Sequence, residues 1–133
     1  GDNAVLLALG SMVDYSLKAA EKLRHEGFSC EVVNMRFAKP LDKELLNAIA
    51  EKHHRIITLE ENSEIGGFGS AVLEYFAEKN YKNDILRIAL PDHFIDHGTQ
   101  EELHHLINID HEGIVNRIKS FITKQSINHN IVA

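Results

Sequence analysis

A chain of 133 residues is the length of one domain, enough to bury about two-thirds of the surface its unfolded form exposes without any staple. Hydrophobic content of 44% with 26% charged residues is globular and excludes a disordered chain. The net charge of −6, with basic residues scattered and never in a run, excludes the electrostatics of a nucleic-acid groove or an anionic membrane surface.

Ala4–Leu9 is an apolar run closed by Gly10, the pattern of a strand buried on both faces. Ser11 is placed to cap a helix in which Val13, Leu17, Ala20 and Leu23 recur at helical spacing, and Gly27 is placed to end it in a left-handed conformation. Ser29–Met35 reads as a second strand. Pro40 then breaks the chain, and Asp42 caps a helix with Leu45, Leu46, Ile49 and Ala50 on one side. Arg55–Glu61 is a third strand, rich in β-branched residues. A glycine-rich loop leads to a helix over Ala71–Lys79, with Val72, Leu73, Phe76 and Ala77 inward. Asp84–Leu90 is a fourth strand, closed by Pro91. Thr99 with Glu102 forms a capping box for a short helix carrying Leu103 and Leu106. Asp110 caps a last helix with Ile114, Ile118, Phe121 and Ile122 in its buried stripe. Residues 1–125 make one domain, and 126–133 a polar tail without a period.

Strict strand–helix alternation with short connections predicts right-handed crossovers and a three-layer α/β/α fold around a mainly parallel sheet. Its core is expected to run from Leu7, Val33, Ile57 and Ile88 to Leu17, Ile49, Phe76 and Ile118. Ligands and partners of such sheets gather beyond the carboxyl ends of the strands. That edge comprises Gly10-Ser11, Asn34–Lys39, Glu60–Ser70 and Pro91–Gly98.

Gly66-Gly67-Phe68-Gly69-Ser70 opens a helix just past the third strand. Its backbone N–H groups can face an anion or an acidic partner group at the helix N-terminus, or the glycines can serve a tight turn with close packing beneath the helix. A dinucleotide fingerprint is disfavoured, because Val72 holds the third glycine position and the motif follows the third strand, not the first. Glu60 and Glu61 point to opposite faces of their strand, so they do not form an acid/base pair on one substrate. One of them is expected to contact the loop or a partner domain, and the other to be solvated. Arg36 and Lys39 can meet a phosphate or an acidic neighbour, or form an ordinary surface ion pair. The nine histidines show no zinc spacing: His93 and His97 lie in a loop, and His53-His54 and His104-His105 are adjacent pairs that diverge. Cys30, the single cysteine, excludes an internal disulfide, suits a reducing compartment and reads as a small buried hydrophobe. No apolar run reaches the ~18 residues of a membrane span, and Gly1-Asp2-Asn3 resembles no signal peptide. The expected address is the cytoplasm. No nucleophile, base and orienter assemble, so the sequence carries a binding edge without a catalytic constellation.

Together, Leu9-Gly10-Ser11-Met12, Asn34-Met35-Arg36-Phe37-Ala38-Lys39-Pro40-Leu41-Asp42, Glu60-Glu61-Asn62 with Gly66-Gly67-Phe68-Gly69-Ser70, and Leu90-Pro91-Asp92-His93-Phe94-Ile95-Asp96-His97-Gly98 resemble the C-terminal domain of the 1-deoxy-D-xylulose-5-phosphate synthase family, within the transketolase superfamily. The resemblance covers about residues 4–122. The glutamate–glycine loop is shared with transketolases and 2-oxo acid dehydrogenase β-subunits, whereas the strings around Arg36 and Asp92 are particular to the synthases. The resemblance implies a transferase that condenses pyruvate with glyceraldehyde 3-phosphate, losing carbon dioxide, for isoprenoid precursor synthesis. Its thiamine diphosphate and magnesium are held by two preceding catalytic domains of a homodimer. Gly1-Asp2-Asn3 lacks the last glycine of the magnesium-diphosphate signature, so no catalytic, cofactor-binding or metal residue carries over. In the superfamily the sheet has a fifth, antiparallel first strand, and this chain is expected to begin after it. The domain alone is expected to be inactive. Its candidate anion or partner contacts are Glu61, Gly66, Gly67, Phe68, Gly69, Ser70, Arg36, Asp92 and His97.

Overall fold

The computed structural model describes residues 2–36, 40–61, 67–90 and 111–123. The expected short helix at Thr99, and the contacts expected of Gly66, Asp92 and His97, lie outside these residues. The elements are β1 (Ala4–Ala8), α1 (Met12–His25), β2 (Cys30–Asn34), α2 (Lys43–Lys52), β3 (Arg55–Glu61), α3 (Phe68–Glu78) and β4 (Asp84–Leu90), followed by a helix over 111–123, α4. The strands form one sheet in the order β2-β1-β3-β4, every neighbouring pair parallel. The chain leaves β1 toward β2 and returns to the opposite side of β1 as β3. The crossover direction therefore reverses between β1 and β3.

Alternation along the strands divides the core into two layers. Ala4, Leu6, Ala8, Ile57, Leu59 and Ile88 face α1 and α4, where Met12, Ala19, Leu23, Ile114, Val115, Ile118 and Ile122 meet them. Val5, Leu7 and Ile56 face α2 and α3, against Leu46, Ile49, Phe68, Val72, Tyr75 and Phe76. Each fully buried side chain of this kind contributes about 1.5–3 kcal/mol, which gives the sheet a core on both faces. Two sets of polar contacts tie elements together. Asn47 Oδ1 accepts from Tyr75 Oη at 2.7 Å and from Tyr81 Oη at 2.8 Å, joining α2 to the end of α3. Glu31 lies 2.7 Å from the buried His53 ring and 3.1 Å from Lys52 Nζ, joining β2 to the end of α2.

Three expectations are corrected. The buried stripe of α1 is Met12, Ser16, Ala19 and Leu23, one position off the expected one, and Leu17 is 52% exposed. Helix α3 begins at Phe68, not Ala71, and buries Tyr75 while Leu73 and Ala77 face outward. Ser11 makes no side-chain cap on α1. Asp42 does cap α2, accepting from Leu45 N–H at 3.0 Å, and Gly27 takes φ +93°. Cys30 is partly buried against the α1 layer.

Candidate functional site

The carboxyl ends of β1 and β3 flank the point where the crossover direction reverses, the position where an open α/β sheet leaves a crevice between its helices. Here the end of β3 places two carboxylates beside that position, each bonded within the chain. The Ser11 hydroxyl, freed from capping duty, donates to Glu61 Oε1 across the gap between the two strands. On the other face of β3, Glu60 is 7% exposed, and its Oε2 accepts from Gly69 N–H at 2.7 Å. Glu60 therefore contacts the glycine segment as expected, while Glu61 is engaged by Ser11 and not simply solvated.

The local chain explains this arrangement. Gly67 precedes α3 with φ +68°, a left-handed conformation that glycine adopts without steric cost. Gly69 sits within the first turn, pressed on the sheet. A Cβ there would lie 2.9 Å from both Thr58 Oγ1 and Arg87 Nε. Thr58 and Arg87 are register partners on β3 and β4, so the helix can approach them only through a residue without a side chain. Close approach brings Gly69 N–H onto the Glu60 carboxylate in the first turn of α3. Phe68 is 2% exposed and packs in the core. The Thr58 hydroxyl is buried without a hydrogen-bond partner among the described residues.

Arg36 lies elsewhere on the same edge. It is exposed, just beyond β2, and borders a cleft of about 600 Å³ with Asn34, Met35, Pro40, Leu41, Asp42 and Leu45. Sequence reasoning singled out Arg36 but missed the cleft, because its two walls come from β2 and α2. At the opposite end of the molecule, burial pushes the Cys30 thiol up to about 11, far from the thiolate a nucleophile needs. Among the described residues no three His, Cys, Asp or Glu side chains gather to hold a metal, and no helix is long and apolar enough to cross a membrane. The carboxylates of the crevice are already spent on Ser11 and Gly69. The described residues thus do not fit a magnesium-diphosphate site, and no catalytic step is assigned to them.

A four-stranded parallel sheet with helices on both faces marks a domain of the α/β class. The family model for the transketolase C-terminal domain matches residues 1–114, and the chain belongs to that family. Among curated relatives, it is 44% identical over 119 residues to 1-deoxy-D-xylulose-5-phosphate synthase of Aquifex aeolicus, spanning 90% of this chain and 19% of that one. It is 45% identical over 122 residues to the enzyme of the same name from Syntrophotalea carbinolica, spanning 92% and 19%. The chain therefore spans about a fifth of the length of these relatives. A solved structure described as a split gene transketolase, inactive beta4 tetramer, superposes with a TM-score of 0.74 at 33% identity, covering 92% of this chain and 40% of that one. Transketolase from Campylobacter jejuni superposes at 0.51 with 22% identity over 90% of this chain and 17% of its own, a likeness of fold alone.

Proposed function

We propose that residues 1–125 are the C-terminal assembly domain of a 1-deoxy-D-xylulose-5-phosphate synthase, with 126–133 a polar tail. In the complete enzyme, pyruvate and glyceraldehyde 3-phosphate condense with loss of carbon dioxide, and thiamine diphosphate and magnesium bind on preceding domains of a cytoplasmic homodimer. The observation that carries this reading is 44% identity over nine-tenths of the chain to relatives five times its length. The self-occupied crevice supports a role in packing against those domains and steadying the dimer, since a group already bonded within the chain is not offered to substrate.

A domain exchange tests it. The last fifth of the Aquifex synthase is replaced by this chain, and turnover and sedimentation are compared with the intact and truncated enzymes. The exchanged enzyme is expected to recover dimer and turnover that the truncated one lacks. A folded exchange protein no better than the truncated one would refute the assignment. Calorimetric titration of this chain alone with thiamine diphosphate and magnesium is expected to be silent; binding tighter than ~100 μM, about −5.5 kcal/mol, would place cofactor groups here after all.

A further inference from the structure

The cleft between β2 and α2 has a wall chemistry distinct from the β1–β3 crevice. Its floor is the outer surface of the α2–α3 core layer: Met35 is 2% exposed, and Leu41 and Leu45 are partly buried against the same cluster. Two charged side chains border it, in different states. Asp42 is committed to Leu45 N–H as the α2 cap. Among the described residues Arg36 has no ion-pair or hydrogen-bond partner. Beside it, the pairing of β2 with β1 turns the N–H and C=O of alternate residues inward, as Met35 N–H on Ala8 O shows. The N–H and C=O of Asn34 therefore face away from the sheet, and its side-chain amide has no partner among the described residues. The Arg36 and Asn34 donors thus collect at one end of an apolar cleft, while its one carboxylate, Asp42, is taken. A volume near 600 Å³ lies within the range of small-molecule sites, roughly 300–1,000 Å³.

We propose that this cleft binds a small amphipathic anion. A carboxylate or phosphate head sits at the Arg36 and Asn34 end, and a short apolar body lies over Met35, Leu41 and Leu45. A guanidinium pairs with either head through two parallel N–H donors, and the apolar floor rewards a body that inorganic phosphate lacks. The site is separate from the glycine segment, where Glu60 already occupies the amide an anion would seek.

The test is an amide-resolved NMR titration of this chain with n-butyl phosphate, using inorganic phosphate and n-butanol as half-ligands. Saturable shifts are expected at Asn34, Arg36, Leu41 and Leu45, with each half-ligand weaker by about tenfold or more. Arg36→Gln replaces an exposed side chain and leaves the rest of the spectrum unchanged; it is expected to weaken butyl phosphate by about tenfold or more. Asp42→Asn keeps a competent cap and removes the nearby negative charge, so binding is expected to tighten. Shifts centred on Gly67–Ser70, equal affinity after Arg36→Gln, weaker binding after Asp42→Asn, or no saturation by about 10 mM would each overturn the proposal.

Discussion

Removing the Glu60 carboxylate is the most direct way to ask whether the α3 N-terminus is a closed structural joint or an open anion site. Glu60 is almost wholly buried and accepts from Gly69 N–H at 2.7 Å. A hydrogen bond to a charged group contributes about 1.5–3 kcal/mol net, and a negative charge at a helix N-terminus adds about 0.3–1 kcal/mol. Burial of the carboxylate offsets part of this sum. Glu60→Ala removes both contributions and leaves Gly69 N–H without its partner, for an expected loss of about 2–3 kcal/mol. Glu60→Gln keeps an acceptor oxygen of the same shape and loses only the charge, for about 1 kcal/mol. With a urea slope of about 1–3 kcal/mol per molar, the alanine variant should unfold about 0.7–3 M earlier. The chain has no tryptophan, so far-UV circular dichroism is the readout. Sulfate supplies a second, independent signal: it should stabilise Glu60→Ala more than the parent chain, by entering the vacated position. An alanine variant within about 0.5 kcal/mol of the parent, with no differential sulfate response, would show that the carboxylate is dispensable and the closed-joint reasoning wrong.

Gly69→Ala sets helix propensity against sterics. Alanine gains about 1 kcal/mol in the helix, but its Cβ lies 2.9 Å from Thr58 Oγ1 and Arg87 Nε, an overpacking worth about 1–3 kcal/mol; net destabilisation near 1 kcal/mol in urea unfolding is expected, and stabilisation would deny the close approach. Leu17→Ser should change stability by less than about 0.5 kcal/mol, because Leu17 is 52% exposed, whereas Leu23→Ala, at a fully buried position, should cost about 2–5 kcal/mol; similar costs would restore the expected stripe. The His53 hydrogen bond, with Lys52 nearby, holds the Glu31 carboxyl below its ordinary value of 4.5. A lowered folded value stabilises above the unfolded one, so this contribution is present above about pH 4.5 and fades as the pH falls below it. Comparing acid unfolding of Glu31→Gln with the parent checks this: the two curves should converge at low pH, and a constant gap would refute it.

What was legible in the sequence followed from local chemistry. Strands β3 and β4 run over the expected residues because their β-branched, apolar runs meet polar or turn-forming neighbours at both ends. Asp42 caps α2 because a side chain three residues from its target needs no tertiary help. The misreadings arose where a distant contact overrode a local preference. Ser16 is fully buried on the inward face of α1, and its hydroxyl has no partner among the described residues; a polar residue in the true stripe disguised the period, and Leu17 beside it offered a false one. The glycines before Ala71 read as loop because glycine costs a helix about 1 kcal/mol, yet Gly69 is helical, since the gap above Thr58 and Arg87 admits nothing larger. The Ser11–Glu61 bond links residues fifty positions apart, and no spacing rule reaches that far.

The same bond belongs to a pair that closes the position where an open parallel sheet usually takes a ligand. In an open parallel sheet, the helix N-termini beside the reversal point present unpaired N–H groups, and their dipoles favour a phosphate. In this chain β3 ends in two acids that point to opposite faces and so reach both flanking helices: Glu61 meets Ser11 at the start of α1, and Glu60 meets Gly69 in the first turn of α3. A phosphate entering the crevice would have to displace two carboxylates of its own sign from partners they already hold. At a separation of 4 Å, two like charges repel by about 4 kcal/mol even at an effective dielectric of 20, more than one amide donor returns. The pair of acids thus converts the usual ligand position into an internal clasp. Recognition is left to the periphery of the same edge, where, among the described residues, Arg36 stands unpaired above an apolar cleft and the end of β2 turns its outward backbone groups away from the sheet.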